Sequence, residues 1–158
     1  MKFEELLTRT RGGGFIPPFR LLALDPGHTT GWSIFEDGKL TLSGQAATEA
    51  NGWEEIHGLF EWAAPTMVIY ENYRVYEHKL ARHANSEVYT LRLIGVIEYL
   101  CDIVHKIPKY NQMALQHKGF CSDDKLKSWG YYDLGHKHAR DSIRAGTYFL
   151  LFNKEAFK

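Results

Sequence analysis

LLALDPGHTTGWSIFEDGKL, residues 21–40, places a carboxylate at the end of an apolar strand and turns the chain directly after it. Residues 21–24 are a short apolar run of the interior-strand type, and Asp25 ends it where Pro26 and Gly27 force a turn. An acid in that place points into the crevice beyond the strand end. Residues 30–35 then read as a second strand, and Asp37-Gly38 before residues 39–43 is a strong two-residue hairpin signal. Asp25 is therefore expected to open a three-stranded antiparallel meander. Asp-Pro-Gly is good turn chemistry by itself, so the role of Asp25 depends on whether other acids join it.

A second acid follows. Residues 51–64 carry Trp53, Ile56, Leu59, Phe60 and Ala63 at helical spacing, with Asn51 as a cap and Pro65 beyond the end. Residues 66–70, TMVIY, are β-rich and too short for a helix, and they deliver Glu71 at their C-terminal end. If the two strands run parallel with the helix as crossover, Asp25 and Glu71 meet at the sheet edge where α/β proteins place their sites.

Further on, residues 86–105 read as a long helix, residues 111–115 as a fifth strand with Lys118 just after it, and residues 122–135 as a short helix capped by Ser122 plus a loop. The last helix spans about 137–151, with Ala139, Ile143, Gly146 and Leu150 as its core stripe. His138 and Asp141, three apart, share another face of it, and Lys137, Arg140 and Arg144 line the next.

The remaining bounds come from composition. At 158 residues with no net charge, the chain fits one domain that can build a core without disulfides or a structural metal. Residues 1–19 could start as a short helix with Phe3, Leu6 and Leu7 on one side, but Gly12–Gly14 and Pro17-Pro18 end any regular element, so they read as a flexible arm, and residues 20–158 as the single domain. Cys101 and Cys121 form no metal-ligand pair, and no signal peptide or membrane span is visible, so a cytoplasmic location is expected. The neutral total is asymmetric: residues 1–61 hold 5 Lys/Arg against 9 Asp/Glu, and residues 62–158 hold 14 against 10. The basic half favours nucleic acid and the neutral total counts mildly against it. Residues 72–83 interleave Tyr73 and Tyr76 with Arg74, Lys79 and Arg82, a mixture that suits a nucleic-acid strand but also an ordinary solvated loop.

Helix 86–105 has two apolar stripes. Leu93, Ile97, Leu100 and Val104 suffice to pack it on the sheet. Val88, Leu91, Gly95 and Tyr99 form a second stripe that a monomer would leave in water, unless the polar loop covers it, so a two-fold homodimer through this stripe is expected.

Three antiparallel strands, a helix, a strand with an acid, a helix, a strand, and a final helix with His-x-x-Asp make up the RNase H-like arrangement: a five-stranded mixed sheet, three strands antiparallel plus two parallel, with helices on both faces. More closely, the chain resembles the RuvC family of Holliday junction resolvases. LLALDPGHTTGW resembles that family's first acidic strand, VIYEN its second, ANSEVYTLRLIGVIEYL its central helix and HARDSIRAGTYFL its terminal acidic helix, and the likeness covers about residues 20–152. It implies that Asp25, Glu71, His138 and Asp141 are the catalytic and metal-binding set, with two Mg²⁺ or Mn²⁺ ions per site. It also implies that the substrate is a branched DNA such as a four-way junction, cut by paired phosphodiester hydrolysis. Tyr73, Arg74, Lys79, Arg82, Lys118 and Arg140 are the candidate DNA contacts, and Lys118 is placed to steady the scissile phosphate. The arm before residue 20 has no counterpart in the family pattern.

Hydrolysis of a phosphodiester needs charge stabilised on both the attacking and the leaving oxygen, which two divalent ions roughly 4 Å apart supply. Hard oxygen donors suit Mg²⁺ and Mn²⁺. An RNase H-type or flap nuclease shares fold and metals and remains the alternative. The Asp-x-Gly-x-Thr-Thr-Gly pattern also resembles the phosphate loop of sugar kinases and actin-like ATPases, but those close two related domains over a nucleotide. A non-catalytic DNA-binding scaffold would not need the acids.

Overall fold

The computed structural model describes residues 1–12, 14–73 and 80–157, with side chains for all of these except residues 80–87. Five strands form one sheet: β1 (Arg20–Asp25), β2 (Thr30–Glu36), β3 (Lys39–Ala46), β4 (Met67–Asn72) and β5 (Lys109–Met113), in the order β3-β2-β1-β4-β5. β1, β2 and β3 are antiparallel neighbours, whereas β4 pairs parallel with β1 and β5 parallel with β4. The β2–β3 turn is the expected two-residue type, with positive φ at both Asp37 (48°) and Gly38 (88°). The helices are α1 (Phe3–Arg11), α2 (Thr48–Asn51), α3 (Trp53–Ala63), α4 (Leu80–Tyr99), α5 (Ala114–Phe120), α6 (Asp123–Trp129) and α7 (Lys137–Phe152).

Strand alternation separates two cores. Leu21 and Ala23 of β1 and Met67 and Ile69 of β4 face Ile143, Ala145, Phe149 and Leu150 of α7. Leu22 and Leu24, with Val68 and Tyr70, face Ile56 and Phe60 of α3 and Leu93 and Ile97 of α4. The sheet is thus covered by helices on both faces, as expected for an RNase H-like fold.

Three expectations are corrected. Residues 3–11 are not part of a flexible arm: they form α1, and Phe3 (0% exposed) and Leu7 (7%) belong to the α7-side core. Phe3 packs against the Trp129 and Tyr131 rings at 5.1 and 5.4 Å, and Arg11 Nη1 donates to the Leu150 carbonyl at 3.2 Å. Burying such a ring contributes about 1.5–3 kcal/mol. Val104, expected in the core stripe of the long helix, is 44% exposed, and Cys101 is buried in its place. Residues Leu100–His105 form a π-helical turn, whose extra residue per turn rotates the stripe. Asn51 ends α2 instead of capping α3, which starts after Gly52 at φ 72°.

α7 crosses the sheet closely because two glycines allow it. A Cβ on Gly146 would lie 2.3 Å from the Phe35 ring, and one on Gly31 only 1.9 Å from the His138 carbonyl oxygen.

Candidate active site

Register decides where the strand-end acids stand. Leu24 of β1 is level with Tyr70 of β4, so Asp25 and Glu71, one residue further on, end adjacent parallel strands side by side. Glu71 is in turn level with Gln112 of β5. Because residues alternate faces, Asp25 and Glu71 continue the series Leu21–Ala23 and Met67–Ile69 and project toward α7.

α7 brings the other half. Its first turn is held over the edge of β2 by the bare Cα of Gly31 and by the His138 N–H, which donates to Gln45 Oε1 at 3.0 Å. His138 Nδ1 stands 3.4 Å from Asp25 Oδ2. One turn later, Asp141 Oδ1 accepts from Arg144 Nη1 at 2.6 Å. Lys118 lies between the acids, its Nζ 3.5 Å from Glu71 Oε1 and 3.7 Å from Asp141 Oδ2. It sits on α5, one turn past the end of β5, not on the strand exit where it was expected. The side chains of Asp25, Glu71 and Asp141 are 15–16% exposed, against 43% for both Lys118 and His138. An open cavity of about 390 Å³ has Asp25, Lys118, Lys137, His138 and Asp141 in its wall.

The electrostatics are those of crowded acids. Burial raises the Asp25 pKa above the usual range, and the charges of Glu71 and Asp141 add to that, while the His138 hydrogen bond opposes it. The same hydrogen bond raises the His138 pKa. For Glu71, burial also acts upward, but the hydrogen bond from His117 and the charge of Lys118 outweigh it and the carboxyl ends below its normal value. Burial lowers Lys118, yet Glu71, Asp141 and Asp25 together raise it.

Among the described residues, no three His, Cys, Asp or Glu side chains stand close enough together to hold one ion in this arrangement. The donor chemistry nevertheless fits a divalent cation. Asp25 and Asp141 line the cavity, Glu71 shares Lys118 with Asp141, and Asp25 bears the cost of both neighbouring negative charges, which a hard cation would remove.

No protein-family model matches the sequence, and no characterised protein matches it by sequence comparison. Solved structures do match. Thermus thermophilus RuvC in complex with a Holliday junction substrate superposes with a TM-score of 0.66 at 13% identity, over 88% of this chain and 97% of that one. A second Thermus thermophilus RuvC structure gives 0.61 at 14%, over 88% and 98%. A yeast mitochondrial Holliday junction resolvase gives 0.57 at 14%, over 93% and 84%. The chain has the RuvC fold.

On this RuvC fold the four residues expected to act together, Asp25, Glu71, His138 and Asp141, gather at one end of the sheet with Lys118. The expected DNA contacts are more scattered. Arg140 is engaged within the protein, donating to the Asp133 carbonyl at 2.7 Å with its guanidinium over the Tyr132 ring. Tyr73 is half-buried beside the α3–α4 core. Arg74 and Lys79 lie outside the described residues, and Arg82 is on α4 with its side chain outside them. Val88, Leu91 and Tyr99 are 54%, 44% and 57% exposed, and the space beside Gly95 is open. Among the described residues, no helix is long and apolar enough to cross a membrane.

Sequence reasoning missed the residues that hold the acids. Arg144 belongs in the sequence pattern to a neighbouring face, but its i,i+3 spacing from Asp141 is the signal of their ion pair. His117 and Gln112 carried no signal at all: His117 is fully buried, with Nε2 3.1 Å from Glu71 Oε2 and Nδ1 3.1 Å from Gln112 Nε2.

Proposed function

We propose that this protein is a metal-dependent, structure-selective endonuclease that cuts four-way or other branched DNA by phosphodiester hydrolysis. The observation that carries this reading is the in-register pair Asp25 and Glu71, met by Asp141 and His138 of α7 around Lys118, on a fold shared with structures of Holliday junction resolvases. One of those structures is described in complex with a Holliday junction substrate, which favours junction DNA over an RNA/DNA hybrid as the substrate here.

Asp25, Glu71 and Asp141, with His138 beside Asp25, would hold two Mg²⁺ or Mn²⁺ ions. When bound, such ions stabilise charge on the attacking and leaving oxygens and make a water a better nucleophile. The protein's own part is positional. The sheet register sets the spacing of Asp25 and Glu71, and α7 fixes His138 and Asp141 against them. Lys118, half-exposed and reaching over the carboxylates, is placed to bind a nonbridging oxygen of the scissile phosphate and orient it. Lys137 in the cavity wall adds a cation for the flanking backbone. The working form is a symmetric dimer through the exposed α4 face, which presents two sites to the two strands of a junction.

The test is cleavage of a four-way junction, a flap, a plain duplex and an RNA/DNA hybrid, with and without Mg²⁺ or Mn²⁺. Junction cleavage that requires the metal is the expected result, and preferential cutting of the hybrid would favour an RNase H-type enzyme instead. Asp25→Asn, Glu71→Gln and Asp141→Asn should each abolish cutting while junction binding persists, because binding rests on backbone phosphates and basic residues. Any variant that cuts at the wild-type rate removes that residue from the site.

A further inference from the structure

Glu71 is gripped at both oxygens by consecutive residues of α5. Lys118 Nζ lies 3.5 Å from Oε1 on the crevice side, and His117 Nε2 lies 3.1 Å from Oε2 on the inner side. The two contacts differ in kind. Lys118 is 43% exposed on a flexible stem, whereas His117 has no exposed surface and is locked by its own second nitrogen.

The proton positions follow from a group whose role cannot change. The Ala145 backbone carbonyl of α7 is an acceptor only, and Gln112 Nε2 lies 3.4 Å from it. The Gln112 amide must therefore turn its NH₂ toward Ala145, since the flipped amide would set oxygen against oxygen. The other hydrogen of that NH₂ is then directed at His117 Nδ1, 3.1 Å away, so Nδ1 accepts. With Nδ1 an acceptor, the proton of the neutral ring is on Nε2, which donates to Glu71 Oε2. The relay runs Ala145 to Gln112 to His117 to Glu71, and so joins α7, β5, α5 and β4.

This relay carries a cost. Gln112 is 4% exposed and its Oε1 is buried without a hydrogen-bond partner among the described residues. A core selected for stability alone would hold an apolar side chain there, level with Glu71 on the next strand.

We infer that His117 is a positioning residue that fixes the Glu71 carboxylate, holding Oε2 inward so that Oε1 is the oxygen presented to a divalent cation, and that Gln112 sets the His117 tautomer required. The inference rests on the proposed metal-dependent reading, but it concerns ion binding by the protein alone and is tested without DNA. Carboxylates and imidazoles behind a metal ligand act in this way by restricting its orientation, and their loss lowers metal affinity by about 10–100-fold.

The experiment measures Mn²⁺ affinity by titration calorimetry, with the melting temperature of the metal-free protein as a control. It compares the wild type with His117→Phe, His117→Gln and Gln112→Leu. His117→Phe keeps the bulk and removes the donor, and about tenfold or greater weakening of Mn²⁺ binding is expected. His117→Gln places an amide nitrogen near the former Nε2 and should recover most of the affinity. Gln112→Leu, which removes no hydrogen bond to Glu71 and no residue of the cavity wall, should weaken binding by a smaller factor in the same direction. In cleavage assays His117→Phe should raise the Mn²⁺ concentration for half-maximal rate more than it lowers the rate at saturating metal.

A purely structural role would lower the melting temperature and leave Mn²⁺ affinity alone, and that result overturns the inference. If His117→Phe does not fold, wild-type affinity in Gln112→Leu overturns it equally. A wild type that binds Mn²⁺ and loses that binding in His117→Phe, yet cuts no branched DNA, sinks the endonuclease reading and leaves the relay standing. A wild type without measurable Mn²⁺ binding overturns both.

Discussion

Residue 31 has room for a hydrogen and nothing more. A Cβ there would lie 1.9 Å from the His138 oxygen and 2.2 Å from its carbonyl carbon, both backbone atoms that no rotamer change can move. Gly31→Ala should therefore push the first turn of α7 off β2 and take His138 and Asp141 away from Asp25. Overpacking of this kind costs about 1–3 kcal/mol, measurable by urea unfolding. Cleavage should fall further than the folded fraction does, because a displacement of about 1 Å in positioned groups can cost a hundredfold in rate. A Gly31→Ala protein with wild-type stability and rate would show that the β2–α7 approach does not set the site.

α7 depends on how the chain enters it. Asp133, 16% exposed, accepts from the Gly135 and His136 N–H groups at 2.9 and 3.1 Å and from Ser43 Oγ at 3.0 Å, which ties the loop before α7 to β3. Burial raises its pKa, but the hydrogen bonds from Ser43, His136 and Gly135 outweigh that and hold the carboxyl below the usual carboxylate range. The folded pKa is then lower than the unfolded one, so the unfolded chain binds more protons between the two values. This contribution to stability is full above the unfolded pKa, about 3.9, and is lost as pH falls through the folded pKa. Asp133→Asn should accordingly destabilise the protein at neutral pH and by progressively less below about pH 4, as read from urea midpoints across that range. An equal loss at neutral and acid pH would mean that the charge of Asp133 does not hold the loop.

For the whole molecule, the sheet separates two functions. One face carries α1 and α7 and, at its strand ends, the acids; the other carries α3 and α4. The outer side of α4 shows Val88, Leu91 and Tyr99 to solvent, and Ile103 and Val104 of the following turn are 58% and 44% exposed. Apolar residues grouped in this way on one helix favour a second copy as their cover, and the bare Cα of Gly95 permits close approach. Under the proposed dimer, Gly95→Arg should yield a folded monomer in sedimentation velocity and lose junction cleavage, with its circular dichroism spectrum unchanged. A wild-type protein that sediments as a monomer at working concentration, and still cuts, would overturn the dimer.

The strand-end acids, the hairpin, the five strands and the His-x-x-Asp helix were legible in the sequence because their signals are local. Apolar runs of four, Pro-Gly after Asp25, Asp-Gly in a turn and a 3.6-residue stripe each act within a few neighbours. Register did the rest, since parallel pairing of Leu24 with Tyr70 carries Asp25 and Glu71 to one edge. Other features were decided only by the tertiary structure. The order of α1 comes from Trp129, Tyr131 and Leu150, more than a hundred residues away, whereas the glycines and prolines that follow it argue for a loose arm. The exposure of Val104 comes from one π-helical turn, which no 3.6-residue pattern anticipates. The partners of the acids follow the same rule. His117 is 46 residues from Glu71, and Gln112 is 33 residues from Ala145. Buried polar groups take their meaning from the partner that satisfies them, and that partner exists only once separate elements have packed.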